Sequence, residues 1–307
     1  MLLDGQKILI TGTYGFLGKF LANKFSKLGA KIYGIGHGNL SSKDLFDNGI
    51  ANYVCNDLKI STLKEACENP NKIIHCASSA SVPYSVFNPK EDFERTVNST
   101  LAVLEFMRLH AKDAQLVIPS SAAVYGQKEK FPISVNAKIN PVSPYGNSKR
   151  IAEMLSKFYA GHFKLKISIV RFFSLYGPGL KKQLLWDACK KAISGNNTYH
   201  GTGLEKRDWI FIEDAASLIL LALENASVSM PILNGGTGEA ISIKELLIFL
   251  YKELGIGVRP NFSGIVREGD PLYFEADIKE SLALGWKPNT LWKDGVSKYV
   301  KWYKSIH

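Results

Sequence analysis

Cysteine is scarce and dispersed: Cys55, Cys67, Cys76 and Cys189 are the only four in 307 residues. None has the close spacing of a metal-binding pair and no secretory context accompanies them, so neither a zinc site nor a disulfide framework is expected. The six histidines form no cluster, and no metal is expected from them. No apolar run reaches the roughly 18 residues that would cross a bilayer. The opening residues, MLLDGQKILI, lack the basic flank, long apolar core and small-residue cleavage site of a secretory signal. A cytoplasmic location without a membrane partner is the expectation. Internal repeats and low-complexity linkers are missing as well. Basic residues outnumber acidic ones by 38 to 28, a net charge of +10, but the surplus is scattered through segments such as LKKQ, CKKA and KEKF. It forms no basic stripe interleaved with aromatics, so nucleic acid is not the expected partner. The overall positive field suits an anionic small molecule at least as well.

What is present is an alternation. KILITG, KIYGIG, IANYVCND, NKIIHCA, AQLVIPSS and KISIVRFF are short apolar runs separated by helical patterns. The runs are nearly continuous in Val, Ile and Leu, as in parallel strands covered by helices on both faces. The fold class expected is therefore α/β, a doubly wound Rossmann parallel sheet with a smaller C-terminal substrate-binding lobe. The division is placed at residues 1–172 for the dinucleotide domain and 173–307 for the lobe.

Three motifs carry chemistry. In ILITGTYGFLGKF, Gly12, Gly15 and Gly18 stand three apart between a strand and a helix. Lacking side chains, they let the backbone turn tightly, approach a pyrophosphate and present a helix N-terminus to it. In SPYGNSKRIAE, Tyr145 and Lys149 are four apart and share a helix face. An ammonium beside a phenol is expected to ease its ionisation and fit it to exchange a proton with an alcohol. In VIPSSAAVYG, Ser120 and Ser121 end a strand, where a hydroxyl can hold the reacting oxygen.

With these in order, the chain resembles an extended short-chain dehydrogenase/reductase of the NAD-dependent epimerase/dehydratase family acting on nucleotide sugars. The likeness runs from TGTYGFLG through CNDLK, IIHCASSASVPYSVFNP, PSSAAVYG, YGNSK, RFFSLYGPG and KRDWIFIEDAA to NGGTGEAISIKEL and REGDPLYFEADIKESLALGWKP. It implies catalytic roles for Ser121, Tyr145 and Lys149, with Tyr145 as general acid/base and Lys149 on the nicotinamide ribose. It implies cofactor contacts from Gly12, Tyr14, Gly15, Phe16, Leu17, Gly18, Asp57, Leu58 and Ala77. Asn98 would help shape the active-site helix. For the substrate, a nucleotide-diphosphate sugar (UDP-, dTDP- or GDP-linked), it points to Ser79, Ser120, Ser121, Ser174, Tyr199, Arg207, Arg267 and Asp270. Arg can grip phosphate oxygens in a fork and Asp can accept from ribose hydroxyls. Relatives imply a homodimer through the helices of FERTVNSTLAVLEFMRLHA and SKRIAEMLSKFYA.

The reaction is narrowed by another absence. Dehydratases of this family carry an Asp-Glu pair after the catalytic hydroxyl, where this chain has Ala122 and Ala123, so dehydration lacks its proton donor. The same alanines argue against decarboxylation. At the tip of the second strand, where NAD enzymes place an acid on the ribose 2′-hydroxyl, the sequence reads GHGNLSSK. With no carboxylate there, His37, Asn39 and Ser41, with Ser42 and Lys43, are expected to donate to a 2′-phosphate. NADP(H) is favoured, with NAD(H) as the alternative. The leading expectation is a 4-ketoreductase of a nucleotide-4-keto-(6-deoxy)sugar, and the alternative a UDP-sugar 4-epimerase. A cofactor-sensing regulator without catalysis ranks below both, since it would have no use for an intact Ser–Tyr–Lys set.

Overall fold

The first strand, turn and helix set the pattern for half of the chain. In the computed structural model, which describes residues 3–265 and 272–307, β1 (Lys7–Thr11) leads through the glycine turn into α1 (Phe16–Ser26). That helix buries Gly18, Leu21, Ala22 and Phe25 on one face. The alternation continues with β2 (Lys31–Gly36), α2 (Ser42–Asp47), β3 (Ile50–Cys55), α3 (Ile60–Ala66) and β4 (Lys72–His75). After β4 come α4 (Val82–Phe87), α5 (Pro89–Phe93), a π-helical turn at Glu94–Asn98 and α6 (Ser99–His110). β5 (Gln115–Ser121), α7 (Pro144–Phe163) and β6 (Lys166–Phe172) follow.

The strand order is β6-β5-β4-β1-β2-β3, with a seventh strand, Ile232–Gly235, outside β6. The pairs β1–β2, β1–β4, β2–β3 and β4–β5 are parallel. The order reverses between β1 and β4, so the crevice at their carboxyl ends is the switch point where ligands of such sheets bind. Leu9, Ile73, Leu116 and Ile118 from the strands pack with Leu63, Leu104, Phe106 and Met107 from the helices, all buried. Each such side chain contributes about 1.5–3 kcal/mol by leaving water, which makes the strand ends a firm platform for the polar groups they carry.

Two compact units emerge, and they do not follow a single cut. The first holds residues 1–126, 138–171 and 216–233; the second holds 127–137, 172–215 and 234–307. Most of a helix and the start of a strand from the later part of the chain thus return to the dinucleotide-type unit, which no composition shift announces. In the second unit, Ser174–Tyr176, Lys206–Phe211, Ala240–Ser242 and Tyr273–Phe274 form a four-stranded sheet. Its core includes Tyr176, Phe211 and Tyr299, all but fully buried. The hydroxyls of Tyr176 and Tyr299 donate to the carbonyls of Trp292 (3.1 Å) and Leu180 (2.7 Å). Among the described residues no helix is long and apolar enough to cross a membrane.

Candidate active site

The glycine turn is built for close approach. Gly12 has φ +69°, and a Cβ there would stand 2.7 Å from the Ala77 amide nitrogen; one at Gly18 would stand 2.4 Å from the Gly12 carbonyl. α1 starts at Phe16 with Gly15 as N-cap and no capping side chain. The N–H groups of Phe16, Leu17 and Gly18 therefore face outward from the first turn without intrahelical acceptors, the arrangement that receives a phosphate. Thr11 fixes the floor: its hydroxyl bonds His75 Nδ1 at 2.8 Å and accepts from Ala77 N at 3.1 Å. Burial, reinforced by the charge of Lys149, pushes His75 down to about 3. It is a neutral tie between β1, β4 and α6, a role the sequence did not announce.

The loop after β2 departs from expectation. Ser41 closes a capping box on α2: its Oγ donates to Asp44 Oδ2 (2.7 Å) and accepts from Asp44 N (3.1 Å). Lys19 bonds Asp44 at 2.7 Å and holds its carboxyl well below the usual range. Asn39 Oδ1 accepts from Cys55 Sγ. His37 Nε2 lies 2.9 Å from Asp57 Oδ1, both groups largely exposed. A carboxylate does stand beside the tip of β2, supplied by the chain just beyond β3. Tyr14 covers this loop, its ring so close that a Cβ at Gly38 would meet it at 2.1 Å. Leu58 is half-buried and packs against the core of the unit.

At the end of β5 the chemistry converges. α7 is capped by Ser143, whose Oγ accepts from Gly146 N at 3.1 Å, and Pro144 occupies its first turn. Tyr145 N donates to Ser85 Oγ (3.1 Å), while Ser121 Oγ, at the end of β5, accepts from Ala123 N (3.2 Å) and favours ionisation of the Tyr145 hydroxyl. One turn on, Lys149 Nζ donates to Ser78 Oγ (2.8 Å) and to the Pro119 carbonyl (3.0 Å), 5.8 Å from the Tyr145 ring centroid. Ser121, Tyr145 and Lys149 are thus brought together as the spacing predicts. The tuning is different. Burial pushes the Tyr145 hydroxyl up, with Ser121 pulling it down and Asp92 adding to the rise. Burial also lowers Lys149 to about 8.

Two assigned residues have other work. Ser120 Oγ donates to Glu153 Oε1 at 2.6 Å, and Glu153 also accepts from Arg171 Nε (3.0 Å) and Nη2 (2.7 Å). Arg171 Nη1 donates to the Tyr125 hydroxyl at 3.0 Å. Ser120 is therefore an internal anchor and not an open substrate contact. Asn98 is exposed in the π turn, whereas Thr96 is buried and accepts from Ser79 N at 3.2 Å. Thr96, Thr100, Val103 and Met107 form one buried helical stripe, and that periodicity would have pointed to Thr96. Ser79 is itself buried. Ser78, which holds Lys149, was also missed; its neighbour Ser79 took the assignment.

The remaining substrate candidates belong to the second unit. Ser174 opens a strand opposite Trp209. Tyr199 is buried with its hydroxyl 2.9 Å from that of Tyr251, an engagement that removes it as an open contact. Arg207 lies on Lys206–Phe211, opposite Ile241 and Phe274, and its Nη1 donates to the Lys206 carbonyl. Arg267 and Asp270 lie outside the described residues. Among the described residues no cluster could hold a metal.

A doubly wound sheet with a glycine turn at its switch point and a Ser–Tyr–Lys set beside it defines an enzyme of the extended short-chain dehydrogenase/reductase class. Residues 8–236 match the NAD dependent epimerase/dehydratase family, and the chain belongs to it. A Methanocaldococcus jannaschii relative, provisionally named a UDP-glucose 4-epimerase, is 30% identical over 305 residues, covering 97% of this chain and 98% of that protein. CDP-paratose 2-epimerase of Salmonella typhi is 31% identical over 344 residues, covering 98% and 100%. A solved variant of UDP-glucuronic acid 4-epimerase from Bacillus cereus, in complex with UDP-4-deoxy-4-fluoro-glucuronic acid and NAD, superposes with a TM-score of 0.86 at 25% identity, covering 98% and 100%. The protein is an enzyme of the nucleotide-sugar epimerase/dehydratase type. These relatives fit the epimerase alternative better than the 4-ketoreductase that the sequence put first.

Proposed function

We propose that the protein is a UDP-sugar 4-epimerase that uses NAD(H). The observation that carries this reading is the hydroxyl pair Ser121–Tyr145 with Lys149 one turn behind, followed by Ala122 and Ala123 where a second acid or base would be needed for elimination. One proton-exchanging group suits a reaction whose substrate and product differ only at a carbinol carbon. The names of the relatives point the same way.

The residues fit a dinucleotide: the cradle at Gly12 and Gly18 leaves no room for side chains, and the first turn of α1 offers bare N–H groups. Bound there, NAD would supply the chemistry of a reversible hydride acceptor. Tyr145 takes the proton from the sugar 4-hydroxyl and later gives it back to the 4-oxygen. Ser121 holds that oxygen and Tyr145 in line, and Lys149, clamped by Ser78 and Pro119, keeps positive charge behind the phenol.

NAD takes precedence over NADP because Asp57 brings a carboxylate to His37 at the β2 tip. Purified protein should carry NAD and interconvert UDP-hexose 4-epimers without added cofactor; NADPH oxidation by a 4-keto sugar with no epimerisation would overturn the reading. In titrations followed by dinucleotide fluorescence, Asp57→Asn should narrow the preference for NADH over NADPH by about tenfold, as removal of one repulsive charge would. The homodimer also belongs to this proposal. Met154 and Phe158 on α7 and Leu101 and Leu109 on α6 are exposed, and the two helices pack side by side. Phe158→Asp should convert a dimer to a monomer in analytical ultracentrifugation.

A further inference from the structure

One buried carboxyl in the first unit has no role in the reaction proposed above. Buried carboxylates elsewhere are engaged: Glu153 by Ser120 and Arg171, Asp208 by the amides of Thr237, Gly238 and Ala276, Asp214 by those of Asn289 and Thr290, and Glu205 by Thr202. Asp92 is completely buried on α5, and neither of its carboxylate oxygens has a hydrogen-bond partner among the described residues. Burying a carboxylate without a partner costs several kcal/mol. Stability alone gives no reason for an aspartate at this position, where an apolar residue would serve.

Its neighbourhood supplies a reason. α5 packs against α4 and against α7, the helix of Tyr145 and Lys149. The charged and titratable groups on these elements sort clearly. Tyr84 on α4 bonds Glu91, and Glu91 pairs with Arg95. Lys90 pairs with Glu94. On α7, Arg150 is exposed and Glu153 is taken by Arg171. From β4, His75 is neutral and Cys76 is held as a thiol by burial. Lys149 is buried and bonded only to the neutral oxygens of Ser78 and Pro119. The buried lysine without a carboxylate in contact and the buried carboxyl without a partner stand on adjoining helices.

We propose that Asp92 is a positioning residue of this active site, a buried carboxyl that acts through Lys149 and Tyr145 and sets the pH range in which they work. The inference rests on the reading of Tyr145 as acid/base. A negative charge there favours the ammonium over the amine and the phenol over the phenolate, and both groups respond to it in that sense. Burial already brings Lys149 down to about 8. Without Asp92 the lysine would surrender its proton inside the working range.

The test is Asp92→Asn, which keeps shape and removes charge. Both limbs of the kcat/KM pH profile should move toward acid, by about one pH unit for a like or opposite charge at short range. The phenolate absorbance of Tyr145, read as each protein minus its Tyr145→Phe counterpart without substrate, should shift the same way. The melting temperature should hold or rise, because an unpartnered buried carboxyl has gone. A folded variant whose phenolate titration and profile stay put overturns the proposal, and a lower melting temperature with an unmoved titration assigns Asp92 a purely structural role. Asp92→Ser offers the same readouts should the amide variant fail to fold. Full activity in Tyr145→Phe would sink the acid/base reading itself, a separate outcome from an unmoved titration.

Discussion

Replacing Tyr145 by phenylalanine is expected to lower kcat by about a thousandfold while NAD binding changes by less than about twofold, since a positioned general acid/base contributes 10²–10⁴. The ring volume is kept and Tyr145 N still donates to Ser85, so the start of α7 should not move. What is lost is the hydroxyl whose ionisation Ser121 favours, the group proposed above to carry the proton. Ser121→Ala should cost less, because the phenol would remain with its burial-raised affinity for the proton. The parent enzyme should lose rate as pH rises through about 8, where Lys149 gives up its proton. That limb should persist, at lower amplitude, in Ser121→Ala. Stopped-flow or coupled assays of UDP-sugar interconversion across pH check both points; a Tyr145→Phe enzyme within tenfold of the parent would remove this residue from the acid/base role.

The parts of this site that follow chain-local rules were legible in the sequence. Gly12, Gly15 and Gly18 are demanded by backbone approach, and Tyr145 and Lys149 by helix pitch, and each stands where its spacing requires. What escaped depends on which side chain reaches which neighbour. Ser120 and Ser121 are adjacent on a strand and so face opposite ways: one donates to Glu153, the other accepts from Ala123 N and lowers the pKa of Tyr145. Asn98 and Thr96 were separated only by the phase of a π-helical turn, which one extra residue per turn shifts. The reading toward NADP rested on the same local view. The tip of β2 has no acid of its own, but parallel strands end side by side, and Asp57 arrives from beyond β3. Ser41, counted as a phosphate donor, obeys the stronger local demand of capping α2. The interleaving of the two units was hidden because residues 216–233 look like any amphipathic helix and turn.

Arg171→Leu should be the most destabilising single change near the site. Arg171 and Glu153 are 4% and 9% exposed and make a two-pronged ion pair, with Tyr125 accepting a further bond from the guanidinium. Removing the arginine strands a buried carboxylate, which costs about 3–5 kcal/mol. In a unit of this size that lowers the melting temperature by roughly 10 °C. Replacing Glu153 as well should restore more than half of the loss, because two apolar residues in place of a buried pair are close to neutral. Activity should not follow stability back. Without Glu153, Ser120 has no acceptor, and the end of β5 that carries Ser121 and the Pro119 carbonyl of the Lys149 clamp is no longer pinned to α7. The double variant should therefore melt near the parent yet turn over at least tenfold more slowly. Its loss should be in kcat more than in KM, because the anchors of the proton-transfer groups have gone while the sugar and dinucleotide contacts remain. Calorimetry alongside steady-state kinetics separates the two; a double variant that recovers both together would mean that the pair only holds the fold.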